Sequence, residues 1–253
     1  MTLAWILGAS IVGGALSAGL AAFSLLLRAS WLPIMVSFAI GALLGAAFLE
    51  VIPHAFERGE PRQAALAILG GIFVFFVLEK LLLWRHCHTE NCEVHDQHAS
   101  SHDGGRSGLL IIVGDTIHNF VDGLLIAAAF IQSTELGVIA AVAIIAHEIP
   151  QEVGDFLILL HSGYTRARAL AMNLLSSLAT VVGGVIGYFA LQAVSEWEAT
   201  LLGVVAASMI YVAVADLIPG LHRRPELRDT AWQALLIALG IGAIAAVRAV
   251  LAH

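Results

Sequence analysis

The chain has 253 residues, of which 59% are hydrophobic and only 12% charged, with a formal net charge of −7 and a mean hydropathy of +0.90. A soluble domain carries roughly 25% charged residues, so this chain is too poor in polar side chains to cover a globule of its own size. That excludes a disordered chain and an ordinary cytosolic enzyme, suggests no nucleic-acid partner, and leaves an all-α integral membrane protein in contact with the lipid bilayer.

A hydrocarbon core of ~30 Å needs about 20 apolar helical residues. Measured that way, the chain predicts eight spans, at roughly 3–27, 31–55, 63–85, 108–132, 135–161, 166–192, 199–221 and 229–250. The start, Met1-Thr2-Leu3-Ala4-Trp5, lacks the basic region of a cleaved signal peptide, and the apolar stretch behind it reads as a retained span. Most connections are short. The exception is a polar loop over 86–107, so residues 1–253 read as one transmembrane domain with one long loop inside it. If the N-terminus lies outside, the inner loops and helix ends hold Arg28, Lys80, Arg85, Arg106, Arg166, Arg168, Arg223, Arg224 and Arg228, and the outside holds only Arg58, Arg62 and Arg248. The positive-inside rule therefore places both termini outside and the long loop in the cytoplasm.

That loop carries His86, Cys87, His88, Cys92, His95, His98 and His102, with acids between them. The spacing matches no closed zinc-finger pattern. It reads as a flexible metal-collecting or metal-sensing segment whose thiols stay reduced in a cytosol, against the bland alternative of a solvated linker.

An ionisable side chain near the bilayer centre costs at least ~2.5–3.5 kcal/mol on insertion scales, so each one needs a reason. In the fourth span Asp115, His118, Asn119 and Asp122 fall on an arc of about 100°, and in the fifth His147, Glu148, Gln151, Glu152 and Asp155 share an arc of about 140°. His118 comes about ten residues into its span and His147 about twelve into the next, which runs the opposite way, so at ~1.5 Å per residue both lie near the midplane. Imidazole, carboxylate and carboxamide groups converging there suit a divalent cation of the zinc, iron or manganese type. Pro150 frees the carbonyl of Ala146 beside them, a feature of transporter binding sites. Hydrogen-bonded glue between helices explains one such residue well and two facing stripes poorly. A hydrolytic zinc site of the H-E-x-x-H kind needs a second histidine where Gln151 stands, so no catalytic residue is assigned.

The segments His118-Asn119-x-x-Asp122-Gly123 and His147-Glu148-x-Pro150-x-Glu152-x-Gly154-Asp155 resemble the signature of the ZIP (Zrt-, Irt-like protein) family of divalent metal transporters, in the branch whose fifth span reads H-E-x-P-H-E-x-G-D. Glu50-Val51-Ile52-Pro53-His54-Ala55 and Tyr211-Val212-Ala213-Val214-Ala215-Asp216-Leu217-Ile218-Pro219 add to the likeness, which extends over the whole chain. The resemblance implies a ZIP-type eight-helix bundle in the plasma (prokaryotic inner) membrane. Its substrate would be Zn²⁺, or else Fe²⁺, Mn²⁺ or Cd²⁺, carried into the cytoplasm without a catalytic cofactor. It also implies a homodimer and an elevator-like movement of spans one, four, five and six. It implies a binuclear site, one metal among His118, His147 and Gln151 and the other among Asn119, Asp122 and Glu148 with Asn173. The branch has histidine where this chain has Gln151 and Glu50, which widens the expected metal range.

Other readings remain open at this stage. A metal sensor without flux and an outward metal/proton exchanger fit the same residues. Glu50 and His54 read as an entry site or a helix-interface pair, and Asp115, Glu152 and Asp155 as an exit path or proton carriers. Asn173, on one face with Ser176 and Ser177, suits packing as well as ligation; Asp216 suits a helix-end role, and Glu79-Lys80 an interfacial one.

Overall fold

The computed structural model describes residues 1–23, 31–86, 106–191, 197–222 and 227–251. Eight helices among them are long and apolar enough to cross a membrane. We label them α1 (Thr2–Phe23), α2 (Leu32–Glu57), α3 (Pro61–His86), α4 (Arg106–Gln132), α5 (Thr134–His161), α6 (Arg166–Leu191), α7 (Glu198–Tyr211 continued through Leu221) and α8 (Leu227–Leu251). They match the eight predicted spans, with ends displaced by a few residues. Because each crossing reverses direction, Thr2, Glu57, Gln132 and Leu251 lie toward one face of the bundle, called here the terminal face.

Two short connections show why the chain reverses where it does. Between α4 and α5, Ser133 is extended (φ −159°, ψ 155°) and its side chain accepts the Leu136 N–H at 3.0 Å, capping α5. After α5, Gly163 takes φ 89°, open to a residue without Cβ, and the Tyr164 N–H then reaches back to the Leu159 carbonyl at 3.1 Å.

In α2 and α7 the helical period changes. Each contains a π-helical turn, Ala47–Val51 and Val212–Leu217, in which the Ile52 N–H donates to the Ala47 carbonyl and the Ile218 N–H to the Ala213 carbonyl. Each turn carries the acid of an acid-x-Ile-Pro sequence, Glu50–Pro53 and Asp216–Pro219, and ends just before its Ile-Pro pair. A proline has no N–H to continue the ladder, and the wider turn absorbs the missing bond. Glu50 is thereby held inside the protein, whereas Asp216 is exposed. Pro150, by contrast, sits within an unbroken α5.

The helices associate in two groups. Helices α4 and α6 pack along their length, and α1 packs on α5 and α6; α2 pairs with α8 and α3 with α7, while α2 also touches α5. Without a hydrophobic drive between helices in lipid, small residues that let backbones approach carry such contacts. A Cβ at Gly123 would collide with the Thr180 carbonyl and one at Gly183 with the Phe120 carbonyl, and the same holds for Gly41 and Gly240 between α2 and α8. Gly183→Val should therefore cost more than the ~1–3 kcal/mol of ordinary overpacking and leave little monodisperse protein on size exclusion in detergent. Gly8→Ala, which meets no atom within 4 Å, should behave as the parent chain.

Candidate metal site

His118 precedes Gln132 by fourteen residues and His147 follows Thr134 by thirteen, so both lie ~20 Å from the α4–α5 turn. Equal depth on antiparallel helices brings the two stripes face to face. The i,i+4 spacing adds Asp122 beside His118, and Glu148 follows His147 directly.

The resulting distances are short and nearly uniform. His118 Nε2 stands 3.1 Å from His147 Nε2, 3.7 Å from Asp122 Oδ2 and 3.6 Å from Glu148 Oε1. His147 Nε2 stands 3.3 Å from Asp122 Oδ2 and 3.7 Å from Glu148 Oε1. One ligand atom from each of the four residues lies within 4.8 Å of all the others. Zinc–nitrogen and zinc–oxygen bonds of about 2.0–2.2 Å arranged tetrahedrally put ligand atoms roughly 3.3–3.5 Å apart. The five distances scatter around that edge.

Burial sharpens the point. Asp122, His147 and Glu148 are 2%, 1% and 6% exposed, and His118 retains 26%. Asp122 Oδ2 and Glu148 Oε1 are buried without a hydrogen-bond partner among the described residues, and these are the two oxygens that face the imidazole nitrogens. Leaving such atoms unpaired is costly unless a cation completes them. Two aligned carboxylate oxygens and two imidazole nitrogens form a mixed N₂O₂ donor set for a divalent transition metal.

The carboxamides near this cluster are engaged elsewhere. Asn119 donates through Nδ2 to Asp115 Oδ1 at 2.9 Å and accepts the Thr180 hydroxyl at 2.9 Å. Gln151 donates to Asp115 Oδ1 at 3.4 Å while its own Oε1 is buried without a hydrogen-bond partner among the described residues. Asn173 donates to the Glu152 carbonyl at 2.9 Å. Toward the other face, Glu152 is fully buried and accepts the Ser177 hydroxyl at 2.7 Å, Asp115 is 6% exposed, and Asp155 is half-buried. Ser176 donates to the Met172 and Asn173 carbonyls. Near the far end of α3, Glu79 accepts the Tyr211 hydroxyl and Lys80 Nζ lies 5.9 Å from the centre of the Phe76 ring. The loop residues Cys87, His88, Cys92, His95, His98 and His102 lie outside the described residues, as does the side chain of His86. One partner was missed by sequence reasoning. Arg248 reaches Glu50 across the α2–α8 contact, and only the depth of Glu50 in its span hinted that it needed a cation.

A family model described as "ZIP Zinc transporter" matches residues 2–109 and 83–248. The chain belongs to the ZIP zinc transporter family. Among similar family members are zinc transporter ZIP13 of Pongo abelii, 32% identical over 228 residues that cover 82% of this chain and 64% of that protein, and zinc transporter ZIP4 of Mus musculus, 32% identical over 265 residues that cover 80% and 40%. A ZIP13 homolog of Drosophila melanogaster is 28% identical over 279 residues, covering 88% of this chain and 79% of the relative. The chain thus spans between two fifths and two thirds of the length of the first two. These relatives are named as zinc transporters.

Proposed function

We propose that the chain moves divalent transition metal ions, Zn²⁺ foremost, across the bilayer, and that His118, Asp122, His147 and Glu148 form the midplane site that holds the ion in transit. What supports this reading above all is the N₂O₂ cluster whose two oxygens have no hydrogen-bond partner among the described residues. The relatives named as zinc transporters support the choice of ion. Inward direction, whether passive or proton-linked, follows the family resemblance. A second ion beside the first would share Asp122 and Glu148 through their remaining oxygens, and Asn119 would have to leave Asp115 and Thr180 to join it, with Gln151 and Asn173 near by.

Alternating access by movement of α1, α4, α5 and α6 against α2, α3, α7 and α8 accords with the grouping of helix contacts, since the metal cluster rides entirely on α4 and α5. The plasma (prokaryotic inner) membrane, the cytoplasmic position of the 86–107 loop and a homodimer belong to the same proposal.

The test is zinc flux into proteoliposomes loaded with a fluorescent indicator, with and without an imposed pH gradient. The parent chain should carry zinc and the His118→Ala/His147→Ala chain should not. A folded parent chain that binds zinc yet gives no flux under either condition would favour a sensor. Flux that appears only outward and against a proton gradient would favour an exchanger.

Gln151 carries a further prediction. It stands one turn from His147 on the same face of α5, and a third imidazole there would soften the donor set. Gln151→His should narrow uptake toward zinc over manganese and iron in a competition assay. An unchanged metal range would show that the carboxamide does not influence selection. Deleting Glu90–His102 should leave zinc flux in place and alter its regulation or apparent affinity, and loss of all flux would put the loop in the permeation path.

A further inference from the structure

Away from the midplane cluster, a second set of polar groups gathers where α2 meets α8. Glu50 lies on the π-helical turn and is 1% exposed. Arg248, in the last turn of α8, brings Nε to 2.8 Å from Glu50 Oε1, although its own side chain is 55% exposed. Glu50 precedes Glu57, the end of α2, by seven residues, so it sits ~10 Å from the terminal face, about half as deep as His147.

His54 stands one turn from Glu50 and is 27% exposed, with Nδ1 2.9 Å from the Glu50 backbone carbonyl and 3.9 Å from Glu50 Oε2. A carbonyl oxygen only accepts, so Nδ1 is the donor here and Nε2 is the ring nitrogen left to meet a ligand. Metal-binding histidines show this arrangement, with the second nitrogen donating to a carbonyl or carboxylate that fixes the ring. Neither oxygen of Glu50 accepts a hydrogen bond from the described residues, so the guanidinium holds the carboxylate by charge and proximity.

The two halves of this ion pair are unequal. The anion is fixed on a buried turn, whereas the cation ends a long side chain that is more than half outside. A buried carboxylate that stays ionised needs a cation beside it, but nothing in the geometry obliges that cation to be Arg248. We propose that Glu50 and His54 form a second site for a divalent transition metal between the terminal face and the midplane cluster, and that Arg248 is its tethered competitor. With the guanidinium seated the site is closed; when Arg248 swings out, a carboxylate and an imidazole one helical turn apart receive the ion. Arg248 thus sets how readily metal enters from that face. The choice of ion class rests on the function proposed above, but the site shares no residue with the midplane cluster.

Equilibrium binding of Zn²⁺ and of Cd²⁺ to the purified full chain carrying His118→Ala and His147→Ala removes the midplane cluster, and the histidines and cysteines of the 86–107 loop contribute equally to every variant compared. Adding Arg248→Gln should create one further bound ion per chain, held about tenfold or more tighter than any such binding in the Arg248 parent, because the buried carboxylate then has no other cation. Adding Glu50→Gln as well should abolish that gain. An isotherm unchanged by Arg248→Gln, or a gain that survives Glu50→Gln, would overturn the proposal. If Arg248→Gln yields no folded protein, Arg248→Lys decides: its more strongly hydrated ammonium is a weaker competitor, so a gain of about threefold that Glu50→Gln removes is expected, and no gain overturns the proposal. Because the midplane cluster is disabled in every variant, failure here would leave the reading of that cluster untouched.

Discussion

Replacing His147 with alanine is expected to abolish high-affinity zinc binding at the midplane. Its Nε2 is one vertex of the four-atom cluster and its ring is 1% exposed, so water cannot readily take its place. Loss of a partner that merely orients a ligand costs roughly 10–100-fold in affinity, and loss of the ligand itself should exceed that. His118→Ala should act in the same direction and less severely, because its side chain is 26% exposed and a water can enter the vacated vertex. Zinc titration of purified protein checks both. Equal affinity in the parent and the His147→Ala chain would remove the cluster from consideration.

Asp122→Asn combined with Glu148→Gln should separate binding from stability. Two buried carboxylate oxygens face the histidines without hydrogen bonds from the described residues, a cost that neutral isosteres relieve. The metal-free Tm in detergent should therefore hold or rise, while the zinc-dependent increase in Tm disappears. For the parent chain, a site saturated at 100 times its Kd contributes ~2.7 kcal/mol, or about 5–10 °C on soluble-domain scaling. A double variant that melts well below the metal-free parent would show that the carboxylates hold the helices together and are not kept for an ion.

How far these features are legible in the sequence depends on which physical rule governs each. Span number and approximate limits follow from the thickness of the bilayer, and short loops such as Ser133 leave little freedom in pairing α4 with α5. The cluster of His118, Asp122, His147 and Glu148 is legible for the same reason, since i,i+4 spacing and equal depth are properties of a straight helix. The π-helical turns escape a reading based on a 3.6-residue period, although the paired acid-x-Ile-Pro segments at Glu50 and Asp216 mark where they occur. The engagement of Asn119 and Gln151 with Asp115 is equally hidden, because the helical wheel puts all three on the metal-facing stripes and does not say which donors a carboxylate will claim. Arg248 is the clearest omission. At the end of the last span it reads as an interfacial charge, and only the close approach of α2 and α8 at Gly41 and Gly240 brings it to Glu50.

The most direct test of the midplane site is X-ray absorption at the zinc edge on zinc-loaded protein from which His86–His102, with all the histidines and cysteines of the loop, has been deleted. The geometry predicts a first shell of nitrogen and oxygen only, at about 2.0–2.1 Å, with the outer-shell scattering of two imidazoles, and loss of that imidazole signal in the His118→Ala/His147→Ala chain. A shell containing sulfur at about 2.3 Å, or an imidazole signal that survives both substitutions, would contradict it.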